Sequence, residues 1–228
     1  RNAMKASDYI NYLVNGETYK LAVQDVGDLA VNPSSAVTTL QEKNRQKFIN
    51  YLNLANLAIH KRFHLLQKQY EIDNPTNDED YTLPSDFLAP VYAYYNDNVK
   101  EEIPIKDTYR KIVDNVDTAV SLLIPEPFKV TVKGTDTTKH SQIILVYAAS
   151  PKVVTKVIHS LNISNVYTEA VLNYAAYKAY SAISGDIKAE NNSYYLRYES
   201  NCRQIITSGL GGDNETETNN KLVDNGFI

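Results

Sequence analysis

The sequence predicts an α+β protein with a helical core, formed by a long central helix and a C-terminal helix pair, and a β-rich middle insertion. Apolar residues recur every three or four positions from Val37 to Phe63, and that spacing returns in two stretches after Thr168. Between them, β-prone runs such as Lys129–Lys133 alternate in polarity. Because helices and strands differ in side-chain period, these patterns separate the two kinds of element.

Two helices are predicted in the N-terminal part. The first runs from Ser7 to Asn15, with Ser7 as its N-cap and Gly16 as its stop. The second runs from Val37 to Phe63 and is the longest predicted element. Its apolar stripe consists of Leu40, Phe48, Tyr51, Leu52, Ala55, Ala58, Ile59 and Phe63.

A proline-containing corner, Tyr81-Thr82-Leu83-Pro84-Ser85-Asp86-Phe87, follows a predicted strand and an acidic loop. Pro84 fixes its own φ and favours extended geometry at Leu83, so the segment is expected to be rigid. The flanking predictions are strands at Leu65–Ile72, Leu88–Tyr95 and Glu102–Ile105, a loop at Asp73–Asp80, and a helix at Asp107–Leu123.

The second half of the middle region is expected to be β-rich. Lys129–Lys133 and the more apolar Ile143–Ala148 are predicted to pair as antiparallel strands, joined by a loop at Gly134–Ser141. Val153–Ile158 is a further short β-prone stretch.

Two helices are predicted to close the ordered part, from a Thr168 cap to Gly185 and from about Ala189 to Thr207. Residues 209–228 are Gly-rich and then polar, and are expected to be disordered in the free chain. The predicted organisation is residues 4–87 (helical part and corner), 88–160 (β-rich insertion), 161–208 (helix pair) and 209–228 (tail).

Composition restricts the function classes. The net charge of −4 disfavours electrostatic gripping of nucleic acid, which relies on basic surfaces. The single cysteine, Cys202, excludes intrachain disulfides, and no segment approaches the roughly 20 apolar residues that span a bilayer. The 18 tyrosines suit surfaces that become buried on assembly, or equally half-buried core positions.

No catalytic, cofactor-binding or metal-binding residue is predicted. His60 and His64 have a ligand-like spacing, but Lys61 occupies the position of a metalloprotease glutamate and no third ligand is evident. Solvated or capping histidines are therefore the preferred interpretation. Cys202 lies on an apolar helix stripe and is expected to be a packed thiol, so the protein is predicted not to be an enzyme.

The chain resembles head–tail connector (portal adaptor) proteins of tailed bacteriophages, nearest to short-tailed phage adaptors and the ring proteins of crAss-like phages. Four segments carry the likeness: Phe48–Phe63, Tyr81–Phe87, Tyr167–Ala176 and Tyr195–Ile206. The resemblance implies a structural virion protein of the neck or tail, assembled in the host cytoplasm, without cofactors. It further implies a homo-oligomeric ring, typically a dodecamer, that binds the portal and other tail or ring proteins. Genome DNA would pass through it without sequence-specific binding, and no membrane is involved.

Two alternatives remain open at this point. One is another virion ring, such as a tail-tube or head-completion protein, and the other is a virion-associated cell-wall hydrolase. The candidate partner-binding residues are Tyr174, Tyr177 and Tyr180 on the first terminal helix, and Leu222, Phe227 and Ile228 at the end of the tail. Alternatively, the tyrosines pack within the subunit and the tail is a frayed terminus.

Overall fold

A computed structural model describes residues 3–16, 18, 39–96, 101–106, 120–126, 128–134, 141–184 and 193–210. Contacts divide the chain into two compact units. The helical unit comprises Arg1–Phe63 and Pro151–Ile228, and the β unit comprises His64–Ser150. The described part confirms the predicted α+β class.

The helical unit contains four α-helices within the described ranges. They are α1 (Ala6–Asn15), α2 (Thr39–Phe63), α3 (Thr168–Ser184) and α4 (Ser193–Thr207), and a 3₁₀ turn at Asn165–Tyr167 leads directly into α3. Helix α3 is central, because α1, α2 and α4 all pack against it.

The core of this unit follows the predicted stripe of α2 in part, because Tyr51 and Ala58 are only half-buried and Ile49 is buried as well. Its buried apolar residues are Phe48, Ile49, Leu52, Ala55, Ile59 and Phe63. Opposite them, α3 buries Ala170, Val171, Ala175, Ala176 and Ala179. These small side chains let the two helix backbones approach closely, which accounts for the close packing of α2 on α3.

Two predicted N-caps are wrong. Helix α1 begins at Ala6 with Lys5 as its N-cap, and the Asp8 carboxylate accepts the Lys5 backbone N–H at 3.0 Å, so Ser7 is not needed as a cap. Thr168 already has helical φ and ψ, since the preceding 3₁₀ turn is capped by Ser164.

The stretch Val153–Ile158 is not a strand, because α2 holds its backbone instead of a neighbouring strand. The Asn53 side chain donates Nδ2–H to the Val154 carbonyl at 2.8 Å and accepts the Val154 N–H at 2.9 Å. A side-chain amide thus replaces the ladder bonds that the β-prone composition predicted.

Helix α4 ends in a glycine cap at Gly209, the position where the sequence predicts that the disordered tail begins. Gly209 has a φ of 66°, its N–H bonds to the Ile206 carbonyl at 3.0 Å, and Leu210 N–H bonds to the Ile205 carbonyl at 3.1 Å. This is a Schellman motif, in which glycine adopts the left-handed conformation. The rest of the predicted tail, 211–228, lies outside the described residues, as do the predicted boundaries at Gly185 and Ala189 and the start at Val37.

The β unit contains eight strands within the described residues: β1 (Gln67–Asp73), β2 (Asp80–Thr82), β3 (Phe87–Tyr95), β4 (Glu102–Ile103), β5 (Ile105–Lys106), β6 (Ser121–Glu126), β7 (Lys129–Lys133) and β8 (Gln142–Ala149). They form two four-stranded sheets with the orders β1-β8-β3-β4 and β2-β7-β6-β5. Strands β1 and β2, which precede the predicted insertion at 88–160, belong to this unit.

Residues from both sheets share one hydrophobic cluster. Its buried members are Ile72, Leu83, Ala93, Tyr95, Ile103, Val120, Leu122, Val130, Val132, Ile143 and Leu145. Side chains of both sheets therefore form one core, as in a β-sandwich.

Two predictions for the middle region are wrong. Ser121–Glu126 is strand β6, not the end of a helix at Asp107–Leu123, and the remainder of that predicted helix lies outside the described residues. The strands β7 and β8 do not pair. Instead β7 lies between β2 and β6, and β8 lies between β1 and β3, in different sheets.

Candidate interaction surfaces

A row of tyrosine rings joins α3 and α4, and it is called the tyrosine seam here. It consists of Tyr174, Tyr177 and Tyr180 on α3 and Tyr194, Tyr195 and Tyr198 on α4. Tyr180 stacks on Tyr194 with ring centroids 5.1 Å apart, Tyr177 meets Tyr195 at 5.2 Å, and Tyr174 meets Tyr198 at 4.9 Å. The three tyrosines predicted as partner contacts thus lie together, each against a ring of the same chain.

Cationic side chains lie against the seam. Lys178 Nζ is 4.9 Å from the Tyr177 ring centroid, Arg197 lies 5.6 Å from the Tyr194 centroid, and Arg62 lies 5.6 Å from the Tyr198 centroid. Such contacts are worth about 0.5–1 kcal/mol at exposed sites.

The seam is anchored at its buried end. Tyr198 is buried, and Cys202, one turn further along α4, is completely buried. Arg62 Nη1 lies 2.7 Å from Glu199 Oε1, so the end of α2 is tied to α4. The pKa of Glu199 is lowered by Arg62, and burial raises the pKa of both the Tyr198 hydroxyl and the Cys202 thiol. Cys202 is therefore a protonated, packed thiol, as predicted.

Of the two histidines with ligand-like spacing, His60 lies on α2 and differs from the expectation of a solvated side chain. His60 is buried, not solvated, and its Nδ1–H donates to the Asn56 carbonyl at 2.9 Å. Burial lowers the pKa of His60, which favours the neutral ring. His64 follows the helix with a φ of 47°. Among the described residues no group of three or more His, Cys, Asp or Glu side chains is arranged to hold a metal ion.

The proline corner lies in the β unit and is fixed by backbone bonds. Phe87 N–H bonds to the Pro84 carbonyl at 3.0 Å, which closes the turn, and Leu83 N–H bonds to the Phe128 carbonyl at 2.8 Å. The Asp86 carbonyl accepts the Ser150 N–H at 2.7 Å. The corner is thereby held to the ends of two other strands.

The Asp86 carboxylate adds side-chain contacts to this corner. It accepts hydrogen bonds from Lys68 Nζ at 2.5 Å and from the Tyr147 hydroxyl at 3.1 Å. The bond from Lys68 lowers the pKa of Asp86. Burial together with Asp86 raises the pKa of Tyr147 to about 12.

This lowered pKa predicts an acid-dependent contribution to stability. Because the pKa of Asp86 is lower in the folded state, the unfolded chain binds the proton more tightly, and stability falls as pH drops through the folded pKa. In the parent protein the free energy of unfolding should fall below about pH 4.5, and in Asp86→Asn this fall should be smaller. The difference should be under about 1 kcal/mol, because the Lys68–Asp86 pair is partly exposed. Urea unfolding at several pH values measures this.

Lys68→Met tests the same pair from the other side. It removes the cation and keeps the carboxyl group, so the pH dependence should flatten in the same direction. Curves for both variants that run parallel to the parent curve would contradict the assignment.

An apolar groove of about 320 Å³ lies beside the corner in the β unit. Phe87, Leu88 and Pro90 form one wall, and Ile124, Pro125 and Phe128 belong to the other side. Phe128 is 52% exposed and has a φ of 66°, unusual for a bulky residue. Phe128 is thus a large exposed apolar side chain at the edge of a groove whose other apolar residues are half-buried.

Comparison with known proteins identifies the family. The family described as SU10 adaptor protein matches residues 18–219, which include most of both units. The chain belongs to this phage adaptor family. A search of curated proteins finds no match. Family membership makes the chain a structural virion component that contacts other virion components, consistent with its aromatic and apolar surfaces.

Among the described helices, none is both long and apolar enough to cross a membrane. The residues Leu222, Phe227 and Ile228 lie outside the described residues, so their predicted role in partner binding stays a prediction. The role of Tyr174, Tyr177 and Tyr180 in partner binding also stays a prediction. The sequence alone does not indicate that these residues pack against tyrosines of α4.

Proposed function

We propose that this protein is the head–tail adaptor of a tailed phage, forming a homo-oligomeric ring, most simply a dodecamer, between the portal and the tail. The family match over residues 18–219 carries the proposal. The likeness to short-tailed and crAss-like phage adaptors belongs to the same proposal. The ring would assemble in the host cytoplasm and remain in the neck of the virion.

The helical unit supports ring formation. A ring needs two different faces on each subunit, because each copy meets its neighbours head to tail. Leu196 on α4 and Leu210 in the glycine cap that follows it are 55% and 58% exposed. Leu196 lies on the helix that also carries half of the tyrosine seam. The seam stiffens α3 and α4 as one element that a neighbouring copy can contact.

The charge of the chain supports passage of DNA without retention. With a net charge of −4, a ring of this protein would not attract phosphate strongly. The proposed role is therefore a conduit without sequence readout.

Multi-angle light scattering of the full chain, alone and mixed with the portal protein of its phage, tests the proposal. The expected result is a complex whose mass corresponds to one portal plus a whole number of adaptor chains. A chain that stays monomeric and ignores the portal would contradict the portal assignment. Binding to a tail or head-completion protein instead would favour the other ring alternative.

The predicted contribution of the tail is tested by a matched pair of variants. The double variant Phe227→Asp and Ile228→Asp places charges on apolar residues that are predicted to become buried. Portal affinity should fall by more than about tenfold. The double variant Asn214→Asp and Asn219→Asp adds the same charge in the polar part of the tail and should bind like the parent.

A further inference from the structure

A second groove, of about 640 Å³, lies within the helical unit between α1, the start of α3 and α4. Its apolar lining comes from Met4, Tyr12 and Leu172. Tyr12 is 57% exposed although it is a large aromatic residue on a helix that otherwise packs into the core. The groove therefore offers an apolar surface open to a ligand.

The polar lining of the groove includes an unsatisfied amide. Asn173 is more than nine-tenths buried and lines the groove. Its Nδ2–H donates to the Glu169 carbonyl at 3.0 Å, but its Oδ1 has no hydrogen-bond partner among the described residues. This oxygen is itself closed to solvent, so recognition of a ligand in the groove depends on the apolar and charged side chains of the lining.

The charged lining has both signs. Arg197 on α4 and Glu169 on α3 line the groove, and the Glu169 carboxylate accepts from Asn201 Nδ2 at 3.4 Å. A ligand suited to this lining is an extended peptide with apolar side chains, one acidic group and one basic group.

The chain itself contains such a peptide outside the described residues. Lys221, Leu222, Val223 and Asp224 are consecutive, followed after two residues by Phe227 and Ile228. Lys221 and Asp224 complement Glu169 and Arg197, and the apolar side chains complement Tyr12 and Leu172.

The connection is long enough for the segment to return to its own groove. Arg197 lies about 15 Å before Thr207 along α4, at 1.5 Å per residue. The ten residues 211–220 span up to about 33 Å when extended. A tethered segment also has an effective concentration of about millimolar, which favours the chain's own segment over that of a second copy.

We propose that, in the free chain, the groove lined by Tyr12, Asn173 and Arg197 binds residues 221–228 of the same chain, so that the disorder expected of the tail applies to the residues before Lys221. The bound segment covers Tyr12 and Leu172 and places its charged groups against Glu169 and Arg197. Release of this segment then becomes a step that precedes its use in contacting a partner. The proposal concerns the isolated chain and does not depend on portal binding.

Photo-crosslinking of the full chain tests it. The photoreactive residue p-benzoylphenylalanine replaces Phe227, the protein is irradiated at low micromolar concentration without any partner, and adducts are mapped by mass spectrometry. The expected adducts lie within one chain, on peptides that contain Tyr12, Leu172 or Arg197. Mixing isotopically labelled and unlabelled chains distinguishes adducts within a chain from adducts between chains.

Variants of the groove provide the control. Arg197→Glu should lower the yield of these adducts by about fivefold, because it replaces an attraction by a repulsion. Arg203→Glu makes the same charge change on an exposed position of α4 outside the groove lining and should leave the yield unchanged. Tyr12→Ala, at an exposed position, should also lower the yield without unfolding the chain. Adducts between chains, adducts confined to other surfaces, or a yield insensitive to Arg197→Glu and Tyr12→Ala would overturn the proposal.

Discussion

Tyr198→Ala is expected to lower the free energy of unfolding by about 3 kcal/mol, as large aromatic truncations in cores do. Tyr198 is only 4% exposed, and its ring contacts Tyr174 at 4.9 Å and Tyr195 at 5.9 Å. The Arg62 guanidinium lies 5.6 Å from the same ring. One substitution therefore removes ring contacts to Tyr174 on α3 and Tyr195 on α4 together with the Arg62 contact at the end of α2. Urea unfolding followed by circular dichroism measures the change.

Tyr194→Ala is the matched control at the other end of the seam. Its ring stacks on Tyr180, but it is only partly buried, so the loss should stay below about 1.5 kcal/mol. Tyr198→Phe keeps the ring and should also have a small effect. Equal losses for Tyr198→Ala and Tyr194→Ala would show that the seam has no buried anchor.

A seam that is satisfied within the chain changes how the tyrosine content is interpreted. Of the two interpretations left open by composition, intramolecular packing accounts for the ring faces of Tyr174, Tyr177 and Tyr180. The part of α4 that is open to a partner is its exposed side, where Leu196 and Arg197 lie. The two interpretations are compatible, because half-buried rings can stiffen a surface that a partner also touches.

The elements that the sequence predicted well are those whose signal is local. Helix α2 ends at Phe63 as predicted, because its apolar stripe stops there. Strand β7 has the predicted bounds, and β8 extends its prediction by one residue at each end. In each case the side-chain period within one segment carries the information.

The wrong predictions concern elements whose structure depends on contacts with distant parts of the chain. Val120 and Leu123 fit the helical spacing predicted for Asp107–Leu123, but the pairing of Leu122 and Leu123 with β5 and β7 selects a strand. Likewise, β7 and β8 are consecutive strands in the described chain, yet each has better partners elsewhere. Strand pairing depends on contacts between residues far apart in sequence, which a single sequence does not reveal.

The candidate surfaces show the same division. The tyrosines of α3 were selected from composition and helix position, but their partners on α4 required knowing that the two helices pack together. The repeat Tyr194, Tyr195 and Tyr198 was a usable signal, since its spacing places these rings along one side of a helix. The pair Arg62 and Glu199 is separated by 137 residues, and no local pattern indicates it. The prediction of function depended on the family resemblance and not on the chemistry of any site.

Leu145→Ala is expected to destabilise the β unit by about 3 kcal/mol. Leu145 is fully buried in the central strand β8, opposite Tyr70 on β1 and Ala93 on β3, and it belongs to the cluster shared by both sheets. Truncation leaves a cavity between the sheets that their backbone hydrogen bonds prevent from closing. Hydrogen exchange measured by mass spectrometry should therefore show faster exchange in β1, β3 and β8, by roughly a hundredfold where opening of the whole unit limits exchange.

Leu145→Met is the control that shows whether the loss of stability comes from the cavity or from any substitution at this position. Methionine has a similar volume and adapts to irregular space, so the loss should stay below about 1.5 kcal/mol. If alanine and methionine accelerate exchange equally, the position is sensitive to shape and not to lost volume. If neither does, Leu145 does not support the shared cluster, and the two sheets would have to be held together by the remaining core residues. The expected loss of stability is much larger for Leu145→Ala than for Leu145→Met, because the core between the two sheets is close-packed.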